Sequence, residues 1–172
     1  DPAVLIADET TTALDVTVQA QIMQLMADLQ QERKRGLILI THDLGVVADV
    51  ADRIAVMYAG RIVEQADAFK LYAQPGHPYT QGLLDSIPRL DQKGEALSAI
   101  GGLPPNLTNI PPGCPFNPRC HYAQDICRVD PPPALREIAP HRFAACHFSE
   151  LLLAHSPELE VTQTTEDVEA HV

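Results

Sequence analysis

Val4-Leu5-Ile6-Ala7-Asp8-Glu9 decides the fold: four apolar residues run directly into two adjacent carboxylates. The pattern returns a helix later, where Leu37-Ile38-Leu39-Ile40 runs into Thr41-His42-Asp43. Each run is short, apolar at every position and rich in leucine or β-branched residues, which suits a parallel strand covered on both faces. Polar residues at the C-terminal ends of such strands lie where open α/β sheets bind ligands. Two neighbouring strands are thus expected to present an acidic pair and a histidine at one sheet edge, the layout of a nucleotide-hydrolysing site.

The sequence between these runs is helical in pattern. Asp15 suits an N-cap, and Val18, Ile22, Leu25, Met26 and Leu29 fall on one helical face. Arg33, Lys34 and Arg35 suit the negative end of the helix dipole, with Gly36 as C-terminal cap. A strand-helix-strand unit with right-handed crossover follows. A short helix from about Leu44 to Ala51, a strand at Arg53–Tyr58, a turn at Ala59-Gly60 and a strand at Arg61–Glu64 complete an α/β segment. A parallel strand does not stand alone, and the chain opens in the loop before one. We therefore expect the carboxy-terminal part of a longer protein.

Composition changes after about residue 72. Prolines crowd from Pro75 to Pro118 and again at Pro131 to Pro133, leaving room for only short helices, one near Tyr79 to Ser86. All four cysteines (Cys114, Cys120, Cys127 and Cys146) lie in this stretch. The end of the chain is acidic, lacks aromatics and reads as disordered. The division expected is 1–72, 73–150 and a tail at 151–172.

Across the 172 residues, 12 Lys and Arg stand against 23 Asp and Glu, a formal net charge of −11. Such a chain is a poor match to nucleic acid, which demands clustered basic residues. No apolar run approaches the roughly 18 residues of a membrane span, and no signal-peptide pattern opens the chain.

An Asp-Glu pair alone often marks a strand end meeting a solvated turn, a lone histidine often bonds backbone, and helix capping by itself explains Asp15. Here the pair is followed by Thr12-Ala13-Leu14-Asp15, and a histidine ends the next strand. Mg²⁺ takes hard oxygen ligands and keeps several waters, so one carboxylate plus nucleotide phosphates makes a usual site. Successive strand side chains point in opposite directions, which lets Asp8 and Glu9 divide the work between metal and water.

Leu5-Ile6-Ala7-Asp8-Glu9 resembles the Walker B motif of ATP-binding cassette (ABC) ATPases. Ala13-Leu14-Asp15 resembles their D-loop, Ile40-Thr41-His42-Asp43 their switch-histidine loop, and Met57 to Glu64 the hairpin that follows. The resemblance implies that Asp8 holds Mg²⁺ through water and that Glu9 is the general base. It implies that His42 contacts the γ-phosphate of ATP, and that Asp15 lies at the interface of two ATPase domains. The family usually has proline after the catalytic glutamate, where this chain has Thr10. The chain contains no G-x-x-x-x-G-K-[ST] phosphate loop, no Ser-Gly-Gly signature and no glutamine loop. By itself it is not expected to hydrolyse ATP.

His77-Pro78-Tyr79-Thr80-Gln81 and Gly113-Cys114-Pro115-Phe116 resemble the carboxy-terminal extension of ATP-binding subunits in dipeptide, oligopeptide and nickel importers. That likeness implies a second ATPase subunit, two membrane permeases and, indirectly, an extracytoplasmic binding protein as partners. It also implies a peripheral place on the cytoplasmic face of the inner membrane.

The cysteines are separated by five, six and eighteen residues. Disulfides, a structural zinc site, an iron–sulfur cluster and unligated thiols all fit the count. Some members of the family carry a 4Fe–4S cluster on such cysteines, and the resemblance favours that assignment at Cys114, Cys120, Cys127 and Cys146. A rival to the importer subunit is a metal-cluster-binding interaction module on a degenerate, non-hydrolysing α/β platform.

Overall fold

A computed structural model describes residues 2–10, 15–48, 50–87 and 99–155. Strand β1 (Val4–Asp8) and strand β2 (Gly36–Ile40) pair in parallel, with Val4 opposite Gly36 and Asp8 opposite Ile40. Helix α1 (Val16–Arg33) connects them. Asp15 caps it by accepting from the Val18 N–H at 2.9 Å. The helix ends two residues before the expected Arg35, because Lys34 adopts the left-handed conformation (φ 51) and its N–H returns to the Gln30 carbonyl. Lys34 thereby takes the capping position expected of glycine, and Gly36 opens β2 instead.

Burial departs from expectation on this pair. Ala7 is buried, but Val4, Leu5, Ile6, Ile38 and Ile40 are exposed, Ile6 at 63%. A parallel sheet is covered only when layers pack on both faces, and two strands with one connecting helix leave these side chains open among the described residues.

Helix α2 (Leu44–Val47) is capped by Asp43, which accepts from the Gly45 N–H at 2.9 Å. A second, antiparallel sheet has the order β3-β4-β6-β5. Strands β3 (Arg53–Tyr58) and β4 (Arg61–Asp67) form the hairpin expected at Ala59-Gly60, both of which have positive φ (48 and 76), the geometry of a type I′ turn. Between Val56 and Met57 the register slips by one residue on β4. An inserted residue changes which side chains share a face, so the successive residues Val63 and Glu64 are both buried.

Helices α3 (Ala68–Ala73) and α4 (Pro78–Asp85) follow. After two 3₁₀ turns (Asn117–Arg119 and Asp125–Arg128), strands β5 (Arg136–Ala139) and β6 (Arg142–Ala144) return to the sheet. Strand β6 places Ala144 opposite Glu64 and Phe143 opposite Gln65. The compositional change near residue 72 does not divide this sheet.

The core joins both halves. Ile54, Val56, Tyr58, Val63, Ala66, Ala68 and Leu71 pack with Phe116. Tyr58, Tyr79 and Phe116 meet pairwise with ring centroids 4.6 to 5.4 Å apart, and such contacts add about 0.5–1.5 kcal/mol each beyond burial. Residues 151–155, expected in a disordered tail, belong to helix α5 (Ser149–His155), where the run Leu151-Leu152-Leu153 supplies helix-forming side chains. The rest of the acidic end lies outside the described residues. So do Ala13 and Leu14 of the D-loop-like turn.

Candidate functional site

Parallel pairing brings the first set of candidate residues to one edge. Asp8 ends β1 beside Ile40, the last residue of β2. Glu9 follows with φ 46, a left-handed backbone that costs a non-glycine residue about 1–2 kcal/mol. Its N–H donates to the Ile40 carbonyl at 2.9 Å, which extends the ladder by one bond and holds the turn against the strand. His42, two residues beyond β2, reaches back to place Nδ1 3.2 Å from Glu9 Oε1. Both side chains are solvent-exposed, 77% for His42 and 52% for Glu9. Thr41 Oγ1 accepts from the Asp43 N–H at 3.1 Å, so the loop that carries His42 is braced on both sides.

Asp8, Glu9 and His42 therefore share one edge. Asp15 is engaged as the cap of α1. The arrangement offers hard oxygen donors next to an imidazole, the donor type that Mg²⁺ and phosphate chemistry use. Backbone strain at a candidate functional residue is where stored conformational energy often serves a mechanism.

A second site forms in the proline-rich half. Cys114, Cys120, Cys127 and Cys146 line one cavity together with His77, Phe116 and His147. All four are free thiols. Gly113 makes the approach of two of their loops feasible: it has φ 69, and a Cβ there would lie 2.4 Å from the Cys127 carbonyl oxygen. In that space the Cys114 N–H donates to the Cys127 carbonyl at 2.9 Å. Burial pushes the Cys114 and Cys146 thiols up, and Cys120 to about 11, each further raised by neighbouring cysteines. Against this, the Phe148 N–H donates to Cys146 Sγ at 3.4 Å. Backbone at Phe116 and Tyr122, also two residues beyond a cysteine, favours the thiolate of Cys114 and Cys120. Among the described residues, no group of three or more His, Cys, Asp or Glu is placed to hold a single metal ion.

Two residues of the quoted motifs, to which the sequence assigned no role of their own, tie this cavity to the sheet. Glu64, fully buried on β4, accepts from the N–H of Gly76 at 2.6 Å and of His77 at 3.0 Å. Burial raises its pKa, opposed by these amides and by the Arg142 guanidinium. His77 in turn caps α4, its Nδ1 accepting from the Tyr79 N–H at 3.0 Å, and it hydrogen-bonds the Ala145 backbone beside Cys146. Burial lowers its pKa to about 4. With its ring engaged by backbone on both sides, His77 braces the cavity wall and is not a spare ligand. The signal available was a glutamate directly after the apolar pair Ile62-Val63 and a histidine immediately before a helix-opening proline.

Residues 63–127 match the model of the C-terminal region of oligopeptide/dipeptide transporters. Over 145 residues (84% of this chain) the sequence is 54% identical to the oligopeptide transport ATP-binding protein OppD of Escherichia coli (strain K12) and covers 42% of that protein. It is 55% identical over 137 residues to the dipeptide transport ATP-binding protein DppD of Bacillus subtilis (strain 168), 79% of this chain and 41% of the relative. With the E. coli DppD it shares 50% over 147 residues, 86% of this chain and 45% of the relative. The chain thus spans less than half the length of these relatives.

Proposed function

We propose that this chain, which carries the C-terminal region of oligopeptide/dipeptide transporters, is part of an ATP-hydrolysing subunit that powers import of dipeptides, oligopeptides or related small cargo across the bacterial inner membrane. The observation that carries the reading is the Glu9–His42 contact at the shared edge of β1 and β2. Relatives named as transport ATP-binding proteins support it. In this reading Glu9 takes the proton from the attacking water, and its contact with His42 fixes the direction of the carboxylate. His42 contacts the γ-phosphate. Asp8 would hold Mg²⁺, which when bound would supply positive charge against the nucleotide phosphates, and Asp15 lies at the interface with a second ATPase subunit. Two membrane permeases convert closure of the ATPase pair into alternating access, and an extracytoplasmic binding protein delivers cargo. The subunit sits peripherally on the cytoplasmic face; among the described residues no helix is long and apolar enough to cross a membrane.

The experiment is ATP turnover by the full-length subunit in its transporter, with Glu9→Gln compared to wild type. Loss of hydrolysis with ATP binding kept supports the reading. Unchanged turnover overturns the general-base assignment and moves the function towards a non-hydrolysing binding module.

The proposal includes a proline- and cysteine-rich extension (residues 73–150) that uses Cys114, Cys120, Cys127 and Cys146 to hold a 4Fe–4S cluster. Support comes from an all-sulfur donor set around one cavity and from backbone N–H groups directed at the sulfurs, a feature that tunes such clusters. A cluster spreads its thiolates over a cage. The zinc alternative requires sulfurs about 2.3 Å from one centre, a geometry these residues do not adopt as placed. When bound, the cluster supplies a structural or redox-sensitive staple to a segment with few regular elements.

A further inference from the structure

Two histidines, His77 and His147, line the cysteine cavity. His147 lines the cavity beside Cys146, and its Nε2 is buried without a hydrogen-bond partner. A buried polar nitrogen left without a hydrogen bond is uncommon in folded proteins, and a bound group is one of the explanations it admits. The neighbouring backbone already shows what the site selects for, since the Phe148 N–H donates to Cys146 Sγ. His77, the other histidine of the lining, has its ring engaged by the backbone of Tyr79 and Ala145. His147 is thus the imidazole with a nitrogen left over for an occupant.

We propose that His147 Nε2–H is a hydrogen-bond donor to the sulfur of the cluster held by Cys114, Cys120, Cys127 and Cys146, which makes it a positioning and tuning residue of that site and not one of its ligands. The inference rests on the cluster reading given above. Hydrogen bonds to cluster sulfurs are among the terms that set reduction potential. One-electron reduction adds negative charge to the sulfurs, and an N–H aimed at them stabilises the reduced form more than the oxidised one. His147 is expected to raise the potential.

The test uses the full chain, made and kept anaerobically, in wild-type, His147→Phe and His147→Gln forms. Iron and acid-labile sulfide are counted first, and the midpoint potential is then taken by dye-mediated titration followed by electron paramagnetic resonance. The expected result is unchanged iron and sulfide in His147→Phe, with a more negative midpoint. A shift of roughly tenfold in the reduced-to-oxidised ratio at fixed potential corresponds to about 59 mV for one electron. His147→Gln keeps an N–H donor and is expected to recover much of the shift. An unchanged midpoint in His147→Phe, with the cluster intact, overturns this inference and leaves the cluster reading standing. If the Phe variant holds no iron, the Gln variant decides: a retained cluster near the wild-type potential supports the donor role. Loss of iron there too makes His147 a ligand or a packing residue and overturns it. Wild-type protein without iron or sulfide overturns the cluster reading, and this inference with it.

Discussion

His42 Nδ1 lies 3.2 Å from Glu9 Oε1 although 33 residues separate them in the chain. The parallel register of β1 and β2 makes the contact, because it aligns Asp8 with Ile40 and so brings both loops to one edge. The first expectation follows from that contact. In the full-length subunit, Glu9→Gln is expected to reduce hydrolysis about 10²- to 10⁴-fold, the range for loss of a general base. ATP binding, read by filter retention or fluorescence, is expected to stay near wild type.

The 172-residue chain itself is expected not to turn over ATP, since its sequence contains no phosphate loop, and that loop supplies much of the phosphate binding in such enzymes. Phosphate release with Mg²⁺ and ATP checks this. Robust turnover, abolished by Glu9→Gln, would show that the nucleotide site is built differently.

Glu64 holds the Gly76 and His77 amides with its two carboxylate oxygens. Glu64→Ala leaves both amides and the nearby Arg142 without that partner and is expected to destabilise the fold by about 3 kcal/mol. Glu64→Gln keeps an acceptor and is expected to cost less. Urea unfolding followed by circular dichroism measures the difference; equal stability of Glu64→Ala and wild type would refute the clamp.

His77 gives a pH dependence with a definite sign. Its folded pKa is lowered to about 4 from the usual 6.5 by burial, so between these values the unfolded chain binds a proton that the folded one does not. Stability therefore rises with pH across that window and falls as pH drops through it. The loss by pH 4 is on the order of 3 kcal/mol. Subtracting the same curve for His77→Gln isolates the effect, and parallel curves would remove His77 as its source.

For the cysteines, anaerobically made protein is expected to be brown, with iron and acid-labile sulfide at about four each per chain. Replacing any one cysteine by serine is expected to bleach it. Colourless protein with one tightly held zinc would move the assignment to zinc, and four freely reactive thiols would remove the metal site.

The elements were legible where local chemistry decides them. The strand positions of the apolar runs at Val4 and Leu37, the Asp15 cap and the Ala59-Gly60 turn appear in the structure as read, because each depends on residues within a turn of one another, whereas the two-sided burial expected of those strands does not. The return of β6 to β4 was not legible. It pairs Ala144 with Glu64 across eighty residues, and neither segment's pattern names the other. The β4 irregularity was equally silent, since Val63 and Glu64 read as alternating faces until the register skips Val63. At the edge site, sequence order was enough to place Asp8, Glu9 and His42 together, because strand ends are set by pattern. At the cavity, the sequence left Glu64, His77 and His147 without assigned roles, because those roles depend on groups that only the fold brings near.

The pairing of β6 with β4 also bears on what happens to a shortened chain. A chain stopped near residue 72 would keep the β3–β4 hairpin and lose the strand that covers β4 at Glu64 and Gln65. The row of amides and carbonyls thus uncovered is a template for the strands of other molecules. The segment that carries the cysteines therefore also seals a sticky margin, and a truncated protein is expected to self-associate even if every residue of its hairpin folds correctly.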